Sequence, residues 1–310
     1  MADTTPIHGA PRKVLLATDL SARCDRALER AVSLAVAWSV QLIVLHVLED
    51  IRDPADTRSR HTPPSWRRPP DAVSIAKRRV DQELRADIGR DVEGAVVLVE
   101  EGDPAEVIER VAAAEGCELI VTGIAREEPL ALRPHTLGKT LDQLLRRSPN
   151  PILIVRNRAR SAYEHIVVAT DFSDSSGYAL QAALRLFPSQ TLRLLHAFEP
   201  PYSTLVSDPP GYREQYRQAL ESELQAFLVT PYVRDEERRR IDPLIEFGRP
   251  ETLVREYVVH HNADLVVLGT RGRGSVFEAL IGSTAKSILS MLPSDALVVR
   301  EPPPLARSPA

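Results

Sequence analysis

A stretch of about 145 residues occurs twice in this chain, in tandem, and nothing else in the sequence restricts the fold as strongly. Residues 13–19 (KVLLATD) return as 165–171 (HIVVATD), each followed by an apolar residue and a serine. The run 42–47 (LIVLHV) returns as 192–198 (LRLLHAF), with His46 matching His196. EGDP at 101–104 matches FGRP at 247–250, ELIVTG at 118–123 matches DLVVLG at 264–269, and PILIVR at 151–156 matches DALVVR at 295–300. The offset drifts only from 152 to 144 residues, so the chain of 310 divides into units at 12–157 and 163–301. The joint, 157–162, is polar, arginine-rich and of linker type.

Each unit alternates short apolar runs with helical periodicity. In the first, 14–17 is a strand, Ser21 offers a helix cap, and Ala27, Leu28, Ala31, Val32 and Ala35 mark one face of a helix. The nearly continuous apolar run 42–47 reads as a strand buried on both faces. A third strand follows at 95–99, and Asp103-Pro104 opens a helix with a capping carboxylate and a proline in its first turn. The fourth strand is 119–122, a helix carries 141–145, and the fifth strand is 152–155. Alternating strands and helices predict an α/β fold with a parallel, doubly wound sheet, which binds ligands at the carboxyl ends of its strands. Two proline-rich segments at that end, 49–71 and 199–212, break the rhythm and read as irregular loops, either plain excursions or lids and partner-binding loops.

Composition narrows the function classes. With 39 basic and 43 acidic residues, the net charge of −4 argues against a dominant nucleic-acid binder. The apolar runs are far shorter than the roughly 18 residues of a membrane span, and residues 1–13 carry no apolar core of a signal peptide. Cys24 and Cys117 form no C-x-x-C pair, and two lone, buried thiols suit a reducing cytoplasm.

The most specific motif follows strand four of the second unit: Gly269-Thr-Arg-Gly272, nine residues, then Gly282-Ser283-Thr284. The glycines let backbone approach a ligand closely, and the helix opened by Gly282 presents free amides and a positive dipole end to a phosphate. Ser283 and Thr284 can add hydroxyl donors, and Arg271 adds positive charge. Ala169-Thr170-Asp171 ends strand one, beside strand four in a doubly wound sheet. There Asp171 either accepts hydrogen bonds from a ribose or base, or only caps the next helix.

These residues resemble the universal stress protein family in its tandem form, over nearly the whole chain. Gly269, Gly272, Gly282 and Ser283 satisfy its G-x2-G-x9-G-[S/T] nucleotide pattern. The resemblance implies two Rossmann-like domains of the adenine nucleotide alpha hydrolase type, each a five-stranded parallel sheet of order 3-2-1-4-5 with helices on both faces. It implies ATP or AMP in the crevice, ATP with Mg²⁺ as counter-ion. Asp171, Ala169 and Thr170 would hold adenosine, and Ala197 would line the adenine pocket. Leu268 and Gly269 would lie against ribose and phosphates, and Gly272, Gly282, Ser283 and Thr284 would bind the phosphates. It further implies antiparallel contact of the fifth strands, which here would make a pseudo-dimer within one chain; that unit could stand alone or pair again as a homodimer.

The first unit departs from the pattern. Arg126 replaces the second glycine, eleven residues separate it from Gly138, Glu127 and Glu128 enter the loop, and Lys139 replaces the serine. Adenosine contacts from Thr18 and Asp19 survive, while phosphate contacts are compromised.

Other motifs fail. Gly138-Lys139-Thr140 would need a glycine at Arg133 to be a P-loop, and Gly272-Arg-Gly274 has Phe277 where a dinucleotide fingerprint needs glycine. Adjacent His260 and His261 cannot share a helix face as metal ligands. His46 and His196 read as satisfied, buried histidines. The chain has no H-x-G-H signature of a nucleotidyl transferase. No general base with a positioning partner stands out, so slow ATP hydrolysis is the most these residues support. The expectation is a cytoplasmic stress-response regulator that binds adenine nucleotide in its second unit, with no nucleic acid or membrane partner. The alternative is a non-catalytic scaffold whose 51–70 loop, with Trp66, binds a partner protein.

Overall fold

A computed structural model of the chain describes residues 11–21, 24–48, 94–124, 137–201, 209–272 and 281–301, together with 78, 79, 81, 82 and 85. The first half contributes β1 (Lys13–Thr18), α1 (Asp25–Trp38), β2 (Gln41–Leu48), β3 (Val96–Glu101), α2 (Pro104–Glu115), β4 (Leu119–Gly123), α3 (Lys139–Arg147) and β5 (Ile152–Val155). The second contributes β6 (Ile166–Thr170), α4 (Asp174–Leu186), β7 (Leu192–Phe198), α5 (Pro209–Leu228), β8 (Ile241–Phe247), α6 (Pro250–His261), β9 (Leu265–Gly269), α7 (Ser283–Met291) and β10 (Asp295–Val299).

The strands form one sheet of ten, ordered β3-β2-β1-β4-β5-β10-β9-β6-β7-β8. Each half therefore runs 3-2-1-4-5, parallel throughout, and the halves join where β5 and β10 pair antiparallel through Ile152–Val298, Leu153–Leu297 and Ile154–Ala296. Side chains alternate across β5 and β10. Leu153, Val155, Leu297 and Val299 enter a core under α1, α4 and α5, while Ile152, Ile154, Ala296 and Val298 enter the opposite core under α2, α3, α6 and α7. Each core runs unbroken through both halves, so the joint is an interior and not a docked surface. Its strands are apolar on both faces for that reason.

Local chemistry sets the helix ends. Asp103 accepts from the amides of Ala105 and Glu106, with Pro104 opening α2, as the sequence predicts. Ser21 does not cap α1. That helix starts only at Asp25, after the left-handed Leu20. The segment 199–212 is not all loop either, because α5 begins at Pro209; two prolines suit a first turn, where no amide partner is required. The segment 51–70 lies outside the described residues.

The joint 157–162 is no loose tether. The Asp295 carboxylate, at the start of β10 and fully buried, accepts from the amides of Arg156 (2.7 Å) and Asn157 (2.9 Å) and from the Tyr163 hydroxyl (2.6 Å). Arg30 of α1 lies 3.7 Å from the same carboxylate, stacks over the Tyr163 ring at 4.0 Å and donates to the Ser161 carbonyl. One buried anion thus ties both halves and the connecting chain together.

Candidate nucleotide site

The two strand-one turns are built alike. Thr170 Oγ1 accepts from the Phe172 amide, which places Phe172 at φ 60°, and Asp171 Oδ1 accepts from the amide and hydroxyl of Ser173 at 3.1 and 2.5 Å. Ser173, not Asp171, caps α4, accepting from the Ser176 amide. Asp171 braces that cap and keeps its second oxygen toward the glycine loop: a methyl on Gly272 would lie 2.9 Å from Oδ2. In the first half Leu20 takes φ 58° and Asp19 Oδ1 accepts from the Ser21 amide. Burial pulls the Asp19 carboxyl upward, but hydrogen bonds from Ser21 and Cys24 outweigh it and hold the group below the usual carboxylate value.

The paired histidines brace the same turns from strand two. His46 and His196 are buried, and Nδ1–H of each donates to the carbonyl of Thr18 or Thr170, at 2.9 and 2.8 Å. Phe172 stacks on His196 with ring centroids 4.3 Å apart. Both rings act as struts.

Strand β9 delivers Gly269 against the first turn of α4 so closely that a methyl there would lie 2.5 Å from Ser175 Oγ and 2.7 Å from its carbonyl oxygen. Ser175 Oγ accepts from the Arg271 amide at 3.1 Å. The Thr270 amide donates to Val299, and its carbonyl accepts from the Gly282 amide at 2.8 Å, which closes the base of the loop between them. Gly282 is then the N-cap of α7, at φ −56° and ψ 144°, and no side chain among the described residues caps that helix. Its first-turn amides face the cavity with the positive end of the helix dipole behind them.

These segments enclose a cavity of about 410 Å³, within the roughly 300–1,000 Å³ of small-molecule sites. Ala169, Thr170, Asp171, Ala197, Leu268, Gly269, Arg271, Gly272, Gly282, Ser283 and Thr284, all singled out in the sequence, line it. So do Ser176, Leu195, Pro250, Val254, Ala285 and Ile288, which sequence reasoning missed. Three of these left a trace: Ser176 is the counterpart of Cys24, and Pro250 and Val254 stand one turn apart at the start of α6. Asp171 is the one carboxylate and Arg271 the one cation among the described lining residues. The apolar wall suits a flat base, and the uncapped helix end suits an anion.

The first half keeps the frame of this site. Gly138 caps α3 at φ −53° and ψ 152°, close to Gly282. Asp142 sits in the first turn of α3, and its carboxylate meets Lys286 of α7 at 2.9 Å. Arg126, Glu127 and Glu128 lie outside the described residues.

A tandem, doubly wound α/β protein with a crevice at the switch point between strands one and four is the class that fold and site define. The family model of the universal stress protein family matches residues 11–156 and 162–300, and the chain belongs to that family. One relative is a universal stress protein of Thermus aquaticus, 30% identical over 144 residues, covering 44% of this chain and 99% of its own. A putative universal stress protein of Staphylococcus aureus is 28% identical over 145 residues, covering 44% of this chain and 84% of its own. Each matches a length equal to one unit. In fold, a universal stress protein from Archaeoglobus fulgidus superposes with a TM-score of 0.65 at 22% identity, covering 93% of this chain and 98% of its own. A functionally unknown Pseudomonas aeruginosa protein gives 0.61 at 24%, covering 94% and 93%. Among the described residues no helix is long and apolar enough to cross a membrane.

Proposed function

We propose that this chain is a cytoplasmic stress-response regulator that binds an adenine nucleotide, ATP or AMP, in its second half, and that occupancy biases its conformation or partner binding. The observation that carries the reading is convergence: eleven residues drawn from four separate stretches of sequence line one cavity of about 410 Å³. The residues fit the group. Gly272 leaves beside Asp171 the space a Cβ would fill, and the uncapped turn at Gly282, Ser283 and Thr284 offers amides and hydroxyls to phosphate. Asp171 would accept from a ribose hydroxyl, and Ala169, Leu195, Ala197 and Val254 offer the base an apolar wall. The first half, with Arg126 and Lys139 in place of glycine and serine, binds ATP weakly or not at all.

Isothermal titration of the purified chain with Mg-ATP, beside Gly282→Val, tests this. Valine at the mouth of α7 would block phosphate approach and leave the first half intact. One site per chain, lost in the variant, is the expected result. No heat, and no nucleotide carried through purification, would overturn the reading in favour of a non-catalytic scaffold.

A further inference from the structure

Arg271 lines the cavity at the start of the glycine loop, with its backbone fixed by the bond from its amide to Ser175 Oγ. Its guanidinium Nη1 stands 3.9 Å from Oε2 of Glu301, two residues past the end of β10. The cation of the cavity wall is therefore paired with a carboxylate that is not part of that wall. A guanidinium keeps its charge at any working pH, so an incoming anion can compete with Glu301 for it. At 3.9 Å, with side chains 21% and 34% exposed, the contact is a loose one that water reaches, and a phosphate offering a bidentate partner outbids it.

The sequence repeat adds an independent observation. Under the offsets of the repeat, the first-half counterparts of Arg271 and Glu301 are Ala125 and Asn157. Both members of the pair are missing from the half whose glycine loop is broken, and both are present in the half whose loop is complete. Asn157 is instead committed to structure, bonding Asp295 and the Pro293 carbonyl.

We propose that Arg271 and Glu301 form a phosphate-count selector: Glu301 holds the guanidinium at the rim of the resting site, and the outer phosphates of a nucleoside di- or triphosphate take it over, whereas a monophosphate does not. The inference rests on the nucleotide reading of the cavity. It makes Glu301 a competitor for the ligand's charge and Arg271 the group that ranks ligands by phosphate number.

The test is titration of the full-length protein with AMP, ADP and ATP, each with Mg²⁺, for wild type, Arg271→Gln and Glu301→Gln. Arg271→Gln should weaken ATP about tenfold or more and AMP several-fold less than ATP, flattening the series. Glu301→Gln should tighten ATP by about two- to fivefold at low salt, with a smaller effect on AMP, and the gain should shrink in high salt. A gain of affinity cannot come from misfolding, so the second variant guards the first. Equal shifts for AMP and ATP, or a Glu301→Gln protein with wild-type ATP affinity, would overturn the selector while leaving the nucleotide site standing. A wild type that binds none of the three would overturn the site itself.

Discussion

Three glycines of one motif are there for three different reasons, and alanine at each separates them. At Gly269 a methyl would lie 2.5 Å from Ser175 Oγ, 2.7 Å from the Ser175 carbonyl oxygen and 2.8 Å from its carbonyl carbon, where carbon contacts normally settle at about 3.5–4.0 Å. Two of these atoms are backbone, in a helix turn pinned by the Ser173 cap and by the bond between Thr170 and Ser176. Relief requires moving that turn by about 1 Å, an overpacking cost of about 1–3 kcal/mol. The shift also gives up the bond from the Arg271 amide to Ser175, about 1 kcal/mol more. At Gly272 the methyl would meet, among the described residues, the Asp171 carboxylate, with Oδ2 at 2.9 Å, and a carboxylate can swing aside for about 1 kcal/mol by weakening its hold on Ser173. At Gly282 the nearest atom is the Thr270 carbonyl oxygen at 3.6 Å, an ordinary contact, and φ is −56°, so alanine should change stability by less than about 1 kcal/mol. Urea unfolding followed by far-ultraviolet circular dichroism should therefore rank the losses Gly269→Ala, then Gly272→Ala, then Gly282→Ala. Adding Ser175→Ala to Gly269→Ala should not rescue it, since the backbone oxygen stays in place. A Gly269→Ala protein as stable as wild type, or one restored by Ser175→Ala, would refute the steric argument.

Asp295→Asn should cost about 3–5 kcal/mol in guanidinium unfolding, because it leaves Arg30 facing a neutral group in a buried site; Tyr163→Phe should cost about 1.5–3 kcal/mol. For Asp142, burial raises the carboxyl, but Lys286 and Arg146 lower it further and prevail. A lowered folded-state value means its contribution is full above the ordinary aspartate value of about 3.9 and fades as pH falls below it, so urea midpoints of wild type and Asp142→Asn should differ at pH 7 and converge in acid. Burial pushes the Cys117 thiol up to about 11, with Lys13 pulling it partly back, and burial also raises Cys24. Both should resist a disulfide reagent at pH 8 in the native chain and react once it is unfolded, read as released chromophore.

What the sequence made legible follows from the range of the forces involved. The inner strands showed as apolar runs because they are buried on both faces, and the order 3-2-1-4-5, implied by the family resemblance, holds in both halves. The glycine loop was legible because it is contiguous. The far wall of the cavity was not: Pro250, Val254 and Ile288 arrive from helices whose placement depends on the whole sheet. Ser21 misled because a serine before a periodic run looks like a cap wherever the helix begins, and here the helix begins only at Asp25. The joint misled in the opposite sense. An arginine-rich stretch reads as solvated linker, and only the fold reveals Asp295 beneath it.

The asymmetry between the halves has a physical logic that a pair of identical units could not reach. Asp142 and Lys286 occupy equivalent positions under the repeat and meet across the joint at 2.9 Å. In a symmetric dimer a residue on the two-fold axis faces its own copy, so any charge there meets a like charge. Joining the halves covalently lets the two positions differ, and an unfavourable contact becomes an ion pair. The same freedom applies at Asp295, whose counterpart is Pro151: the buried carboxylate is needed once, where the chain crosses between halves, and would be an unpaired buried charge at the other end. It applies again at Ser176, which lines the cavity, and Cys24, which bonds Asp19 inside the first half. Each of these differences is confined to one half, as is the intact glycine loop. The shared interior is what permits such differences, because each half forms one side of two continuous cores.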